Sequence, residues 1–316
     1  MLLTNDFDNL KTNFLNSLKS KNKNSSNKYK RYCQSPLRYG GGKSLAVGLI
    51  IEQFPNIKRM ISPFLGGGSV EIAVAKELNI QVFAFDIFDI LVNFWENIIN
   101  KQSKENLLNE LYLLEPTEEV YNKIKNELKQ HWNKEIILSD LILARDYFFN
   151  FNLSYGPGFL GWMSSIYKDK NKYLKMLDKI KYFDTKNNLT VAVSSFEKIL
   201  TKTEFNNDFF YLDPPYFLDG DSKMFKGIYP QRNFPIHHNN FNHQLLAELL
   251  NKHKGKFILS YNDCDFVRQA YKNFDILEPQ WQYTMGQGET RIGKNRIQRG
   301  DDNNIKKSHE LLIIKN

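Results

Sequence analysis

The sequence predicts an α/β fold of Rossmann-like type, interrupted by a mainly helical insert. Three observations carry this expectation. Over 58–100 a short apolar strand leads into a glycine turn, a helix, a second strand and an acidic residue, the order found in the first half of a nucleotide-binding βαβ unit. Over 101–187 the chain becomes rich in Lys, Glu and Asn, with apolar residues at helical spacing. From 188 onward, strand-like and helical segments alternate again to the end.

A length of 316 residues accommodates one large α/β domain carrying an insert. Hydrophobic residues at 41% and charged residues at 25% suit a soluble globular chain. No apolar run approaches the roughly 20 residues that span a bilayer, and MLLTNDFDNL lacks a signal-peptide core. Cys33 and Cys264 have neither metal-type spacing nor a disulfide framework. The expected compartment is therefore the reducing cytoplasm, with no membrane and no metal. The net charge of +8 suggests a polyanionic partner.

The elements follow in order. Residues 1–15 carry a modest helical pattern, and 16–31, NSLKSKNKNSSNKYKR, are polar, basic and of low complexity. Together, 1–31 read as a flexible basic arm. A helix is expected over 44–53, ending before Pro55. KRMIS (58–62) reads as a strand, PFLGGGS as a tight turn, 70–78 as a helix, 80–86 as a strand and 90–99 as a helix. In the insert, helices are expected over 103–113, 117–130, 135–151 and 169–182, with an irregular Gly- and Pro-rich segment at 152–165. The α/β rhythm then resumes through 189–195, 208–213, a helix at 241–253, and 256–263, 266–271 and 309–316. The main domain thus comprises 32–100 and 188–316.

PLRYGGGKS (36–44) has the look of a phosphate cradle. A P-loop requires Gly, four free positions, then Gly-Lys-Ser/Thr after a buried strand. The required first Gly falls on Leu37, and the preceding NKYKRYCQ is too polar for a core strand. The segment needs another role.

Gly66 and Gly68 stand where a strand must turn tightly into a helix, which needs backbone angles closed to other residues. Asp86 follows Gly66 by 20 residues at the end of the next strand. A carboxylate there can accept hydrogen bonds from both ribose hydroxyls of a nucleoside cofactor, NAD or S-adenosylmethionine alike. Asp213-Pro-Pro-Tyr216 is delivered by the apolar run FFYL to the carboxyl end of a buried strand. Its two prolines forbid helix and fix a rigid extended turn. Such a turn can aim the Asp213 carboxylate and the Pro214 carbonyl at the two N–H bonds of one exocyclic amine, with Tyr216 stacking on the attached ring.

PLRYGGGKS, PFLGGGSV, Asp86 and DPPY, in this order, resemble the DNA adenine-N6 methyltransferases related to the bacterial Dam enzyme. The likeness is to the group whose cofactor motifs precede a target-recognition insert and whose catalytic motif follows it. It covers about residues 33–316. The resemblance implies a Rossmann-like S-adenosylmethionine (SAM)-dependent fold acting on double-stranded DNA. It implies Tyr39 packing near the methionine part of SAM, Lys43 beside the cofactor carboxylate, and Pro63, Phe64, Gly66 and Gly68 as the cofactor loop. Asp86 then binds the ribose, and Asp213, Pro214, Pro215 and Tyr216 hold the target adenine, with Asp213 also near the methionyl group. Where related enzymes often place an acidic residue before Phe, this chain reads Ser194-Ser195-Phe196; Ser195 and Phe196 are the corresponding cofactor contacts.

Sequence readout is expected from the insert, through Arg145, Asn152 and Tyr155, and from MGQGETRIGKNRIQRG (285–300), through Arg291, Lys294, Arg296 and Arg299. His237 and His238, without Cys or carboxylate at ligand spacing, read as surface residues, and His243 as a packing or capping residue. Other planar amines (cytosine N4, an RNA base, a protein glutamine) remain alternatives, with a nucleoside triphosphatase more distant. The resemblance leaves three bacterial or phage settings open: the modification half of a restriction system with its cognate endonuclease, a solitary regulator, or a phage enzyme.

Overall fold

The run FFYL becomes the middle of a sheet because all four of its residues can be buried. The computed structural model describes residues 4–20, 28–156, 158–221, 240–279 and 309–316. Within it, β4 (Phe209–Leu212) is buried at every position, as expected for a parallel strand covered on both faces. β1 (Arg59–Ser62) lies beside it in parallel, with Ile61 opposite Phe210. β2 (Gln81–Asp86) and β3 (Leu189–Val193) continue the parallel set on one side. β5 (Phe257–Asn262) continues it on the other. β7 (Glu310–Lys315) then runs antiparallel between β5 and β6 (Asp275–Leu277). Among the described residues the sheet has seven strands, in the order β3-β2-β1-β4-β5-β7-β6. The three-residue β6 has no readable sequence pattern and was not expected.

Alternation along the strands feeds two cores. Phe209 and Tyr211 of β4 join one, with Leu312 and Ile314 of β7. Phe210 and Leu212 join the other, with Leu311 and Ile313. The second core is closed by α9 (Phe196–Leu200), α10 (His243–Lys252) and α11 (Asp265–Ala270). The first is closed by α2 (Val47–Glu52), α3 (Ser69–Glu77) and α4 (Asp89–Ile99). Helices on both faces of a mostly parallel sheet make the three-layer α/β fold that the sequence predicted.

Over 101–187 the described residues form α5 (Lys101–Tyr112), α6 (Glu118–Trp132), α7 (Asp140–Leu153) and α8 (Lys170–Lys181). The helix expected over 135–151 starts at Asp140 and is buried on nearly all sides from Leu143 onward. It is the axis of the insert, with α4, α5 and α6 packed around it. Phe148 stacks on Phe94 of α4, ring centroids 5.7 Å apart. The insert therefore shares one continuous core with the sheet.

The expected flexible arm over 1–31 is corrected for its described residues. α1 (Thr4–Leu18) buries Phe7, Phe14 and Leu18 in the first core. Lys19 and Tyr29 form an antiparallel bridge. Tyr29 is 3% exposed and lies so close to α2 that a Cβ on Gly48 would sit 2.4 Å from its ring. Four widely spaced apolar residues dock this segment, a pattern too sparse to outweigh its polar composition in a sequence window. No helix among the described residues is long and apolar enough to cross a membrane.

Candidate active site

β1 and β4 are neighbours, but the chain leaves them toward opposite faces of the sheet. α3 follows β1 into the first core, whereas α10 follows β4 into the second. A crevice must open where the two carboxyl ends part. A cavity of about 500 Å³ lies there. Its wall includes Tyr39, Lys43, Pro63, Phe64, Gly66, Gly68 and Asp86, together with Ser195, Phe196 and the Asp213–Tyr216 turn. Every residue expected to contact cofactor or target adenine is thus brought to one site.

The glycine turn is shaped by its neighbours. Gly66 and Gly68 have φ of +46° and +64°, and Gly68 caps α3. Gly67 answers to a side chain: an added Cβ would lie 2.5 Å from Cβ of Tyr39. Tyr39 lies over the turn and stacks on Phe151 of the insert at 5.5 Å. The Asp86 carboxylate accepts from Gly66 N–H through Oδ2 and from Phe88 N–H through Oδ1, both at 3.0 Å. Asp86 thereby pins the turn.

Phe64, at the start of the turn segment, forms an aromatic slot with Phe196 and Phe241. Phe64 lies 5.7 Å from each of the other two, and those lie 5.1 Å apart. Phe241, not expected at the site from the sequence, stands just before Asn242, the N-cap of α10. Ser194, Ser195 and Glu197 line the wall nearby, so a carboxylate does occur here, after the Phe.

The polar end of the cavity is a buried charge cluster. Lys43 Nζ lies 2.7 Å from Asp213 Oδ1 and 3.9 Å from Glu310 Oε2. It also lies 4.9 Å from the ring centroid of Tyr216. The Lys43 side chain is 3% exposed, whereas Asp213 keeps 21% exposure. Glu71 accepts a 2.6 Å hydrogen bond from Ser62 Oγ. Burial pushes the Glu71 and Glu310 carboxyls up to about 7, against the opposing pull of Ser62 on Glu71 and of Lys43 on Glu310. For Lys43, burial acts to lower the pKa, but Asp213 and Glu310 outweigh it and raise the net value. Burial raises the Asp213 carboxyl, and Lys43 opposes it. The expected partner of Lys43 was a cofactor carboxylate; its partner in the structure is Asp213. Neither Glu71 nor Glu310 was expected at the site from the sequence. Glu71 interrupts the apolar run VEIAVA and Glu310 opens the strand ELLII, and a carboxylate set in or against such a run is the signal that could have found them.

Tyr216 is 5% exposed and stacks on Tyr261, ring centroids 6.1 Å apart. Behind them, His243 Nδ1 contacts the Tyr261 hydroxyl. Its ring also packs on Phe217 and Phe241, so His243 packs and Asn242 caps. Burial lowers the His243 pKa to about 4, which keeps the ring neutral.

Two expected DNA contacts are corrected. Arg145 is held by Asp146 at 2.8 Å and Glu110 at 3.2 Å within the insert. Asn152 is fully buried, accepting from Arg38 N–H at 2.8 Å and donating to the Pro36 carbonyl at 3.1 Å. Both staple structure together, because α7 is central and not peripheral. Tyr155 does face solvent, at 63% exposure, and Trp162 beside it is 77% exposed. Tyr155 N–H donates to the Trp162 carbonyl, and Lys125 Nζ lies 4.4 Å from the Trp162 ring centroid. Between them in sequence, Gly158 and Phe159 line the cavity. Arg291, Lys294, Arg296, Arg299, His237 and His238 lie outside the described residues. No cluster of His, Cys, Asp and Glu suited to a metal occurs among the described residues.

A sequence model of the family described as D12 class N6 adenine-specific DNA methyltransferase matches residues 39–285. The chain is also similar to the modification methylase StsI of Streptococcus sanguinis, 24% identical over 301 residues. That alignment covers 90% of this chain and 43% of the relative, so the chain spans less than half of that protein's length.

Proposed function

The chain belongs to the D12 class N6 adenine-specific DNA methyltransferases, and on that premise we propose that it transfers a methyl group from SAM to N6 of an adenine flipped out of duplex DNA. One observation supports this reading most strongly. A single cavity joins an aromatic slot, a carboxylate on a glycine turn, and DPPY beside a buried ammonium.

The residues present suit SAM. The Phe64, Phe196 and Phe241 slot matches an adenine ring, with Ser195 and Glu197 as acceptors for its amine. Asp86 suits the ribose diol, and Tyr39 packs beside the glycine turn where the methionine part is expected. When bound, SAM supplies a methyl group already activated by its sulfonium, so the protein's work is positioning and electrostatics.

Adenine N6 is a poor nucleophile because its lone pair is delocalised into the ring. Asp213 and the Pro214 carbonyl accept the two N6–H bonds and favour a pyramidal nitrogen. Lys43 occupies Oδ1 of Asp213, which leaves Oδ2 for the amine. Tyr216, backed by Tyr261, stacks on the ring and offsets part of the few kcal/mol that unstacking costs.

We assign DNA contact to the insert through the exposed Tyr155 and Trp162, and to Arg291, Lys294, Arg296 and Arg299 on charge alone. The likeness to a protein named a modification methylase favours a restriction-linked setting with a cognate endonuclease as genetic partner. DNA as substrate favours the cytoplasm. The test is incubation with labelled SAM and duplex DNA, followed by digestion to nucleosides. N6-methyladenine is expected; label on cytosine N4, on RNA or on protein, or no transfer at all, overturns the assignment.

A further inference from the structure

We propose that Glu310 is a positioning residue for the DPPY carboxylate: together with Glu71, it holds the Lys43 ammonium against Oδ1 of Asp213, leaving the second oxygen to receive the target amine. The inference rests on the function proposed above.

The four side chains come together from separate parts of the fold. Lys43 arrives from the glycine-rich amino-terminal segment, Asp213 from the end of β4, Glu71 from α3 and Glu310 from the start of β7. Because β7 runs antiparallel to β5, Glu310 lies opposite Asn262, near the carboxyl ends of the parallel strands. Its side chain is 0% exposed. At 3.9 Å from Lys43 it acts through charge, since a hydrogen bond needs a closer approach. The direct Lys43 contacts are Asp213 at 2.7 Å and the Gly41 carbonyl at 3.1 Å.

Charge balance makes the arrangement informative. Lys43 already meets the Asp213 carboxylate at 2.7 Å, so two further buried carboxylates in the cluster add desolvation cost. Apolar side chains at 71 and 310 would continue the runs in which they stand. Glu310 reaches the Lys43 charge from 3.9 Å, and Glu71 lines the same cavity as Lys43. The other polar groups facing the cluster are the hydroxyls of Tyr211, Tyr216, Ser62 and Ser260. Of these, Tyr216 belongs to DPPY, so Glu310 adjoins both the Asp213 and the Tyr216 sides of the motif.

At pH 8, above the value of about 7 to which burial pushes the Glu310 carboxyl, Glu310→Gln preserves size and removes charge. At saturating SAM and DNA we expect its kcat to fall by at least about tenfold, with KM for SAM within about threefold of wild type. Glu310→Asp should recover part of the loss. In a Lys43→Gln background, Glu310→Gln should cost nothing further, because a residue acting through Lys43 loses its route when Lys43 is gone. An unchanged kcat in Glu310→Gln, or losses that multiply in the double variant, overturns the proposal. If Glu310→Gln gives no cooperative melt, Glu71→Gln carries the same cycle, and the same results support or overturn the proposal. A crystal structure of the Glu310→Gln protein supplies a readout independent of the reaction. Lys43 Nζ is expected to leave Asp213 Oδ1, and retention of the 2.7 Å contact overturns the inference. Wild-type protein that methylates no adenine defeats the functional reading alone, and the crystallographic comparison still decides the role of Glu310.

Discussion

Lys43 and Asp213 meet at 2.7 Å, with the lysine side chain sealed from solvent and the aspartate open to the cavity. The contact joins an amino-terminal glycine segment to the end of the central strand. It also divides the carboxylate into one oxygen engaged by protein and one facing the site. Asp213→Ala should therefore remove the acceptor for the target amine while Glu310 and Glu71 still compensate Lys43. A folded protein is expected whose methyl transfer falls by on the order of a hundredfold or more. Tritium transfer to DNA is the measure, with a thermal melt in parallel. Transfer near the wild-type rate would sink the assignment of DPPY.

Gly67 tests the turn. An alanine there brings Cβ within 2.5 Å of Cβ of Tyr39, so the ring or the turn must shift. We expect Gly67→Ala to destabilise the protein by about 1–3 kcal/mol, the usual cost of overpacking, and to weaken SAM binding. Denaturant melts and calorimetric titration with SAM check both effects; unchanged values in both would show that Tyr39 does not lie over the turn.

Glu71 makes stability depend on pH. Its carboxyl is raised in the fold from the ordinary value of 4.5 to about 7. A group raised in the folded state stabilises fully below its unfolded pKa and loses that contribution as pH rises through the folded one. Relative to Glu71→Gln, wild type should lose stability by a few kcal/mol between about pH 4.5 and 7. Urea midpoints of the two proteins at pH 5 and pH 8 measure the difference. A gap between them that stays constant, or that opens in wild type's favour at pH 8, contradicts the burial argument.

Neighbouring residues in the insert should separate cleanly. Asn152→Ala removes one buried and one partly buried hydrogen bond and should cost about 1–3 kcal/mol of stability. Trp162→Ala should leave stability within about 0.5 kcal/mol, as expected for an exposed position. It should weaken DNA binding by about 1–3 kcal/mol if the ring stacks on a base. Melting curves and fluorescence anisotropy at fixed salt distinguish the two, and an unaltered affinity for Trp162→Ala removes that ring from the DNA face.

The parts of this protein legible in its sequence are those whose causes are local. FFYL followed by DPPY, the glycine turn, and Asp86 at the end of QVFAFD each combine a strand with the break that ends it. A strand-turn-helix unit fixes its own side-chain directions over a few residues. The α/β alternation was likewise visible, because burial on both faces leaves continuous apolar runs.

Tertiary structure decided the rest. Arg145 and Asn152 look like surface polar residues, yet α7 is surrounded on nearly all sides and turns both into internal staples. The amino-terminal segment is polar by composition, but Phe7, Phe14, Leu18 and Tyr29 find an apolar surface in the rest of the chain. Phe241, Glu71 and Glu310 reach the site because the sheet order brings separate segments to the same carboxyl edge, and the antiparallel β7 carries Glu310 there. Short-range pattern specifies elements, whereas the environment of a buried charge is set by residues distant in sequence. That is why the motifs could be read in advance and the partner of Lys43 could not.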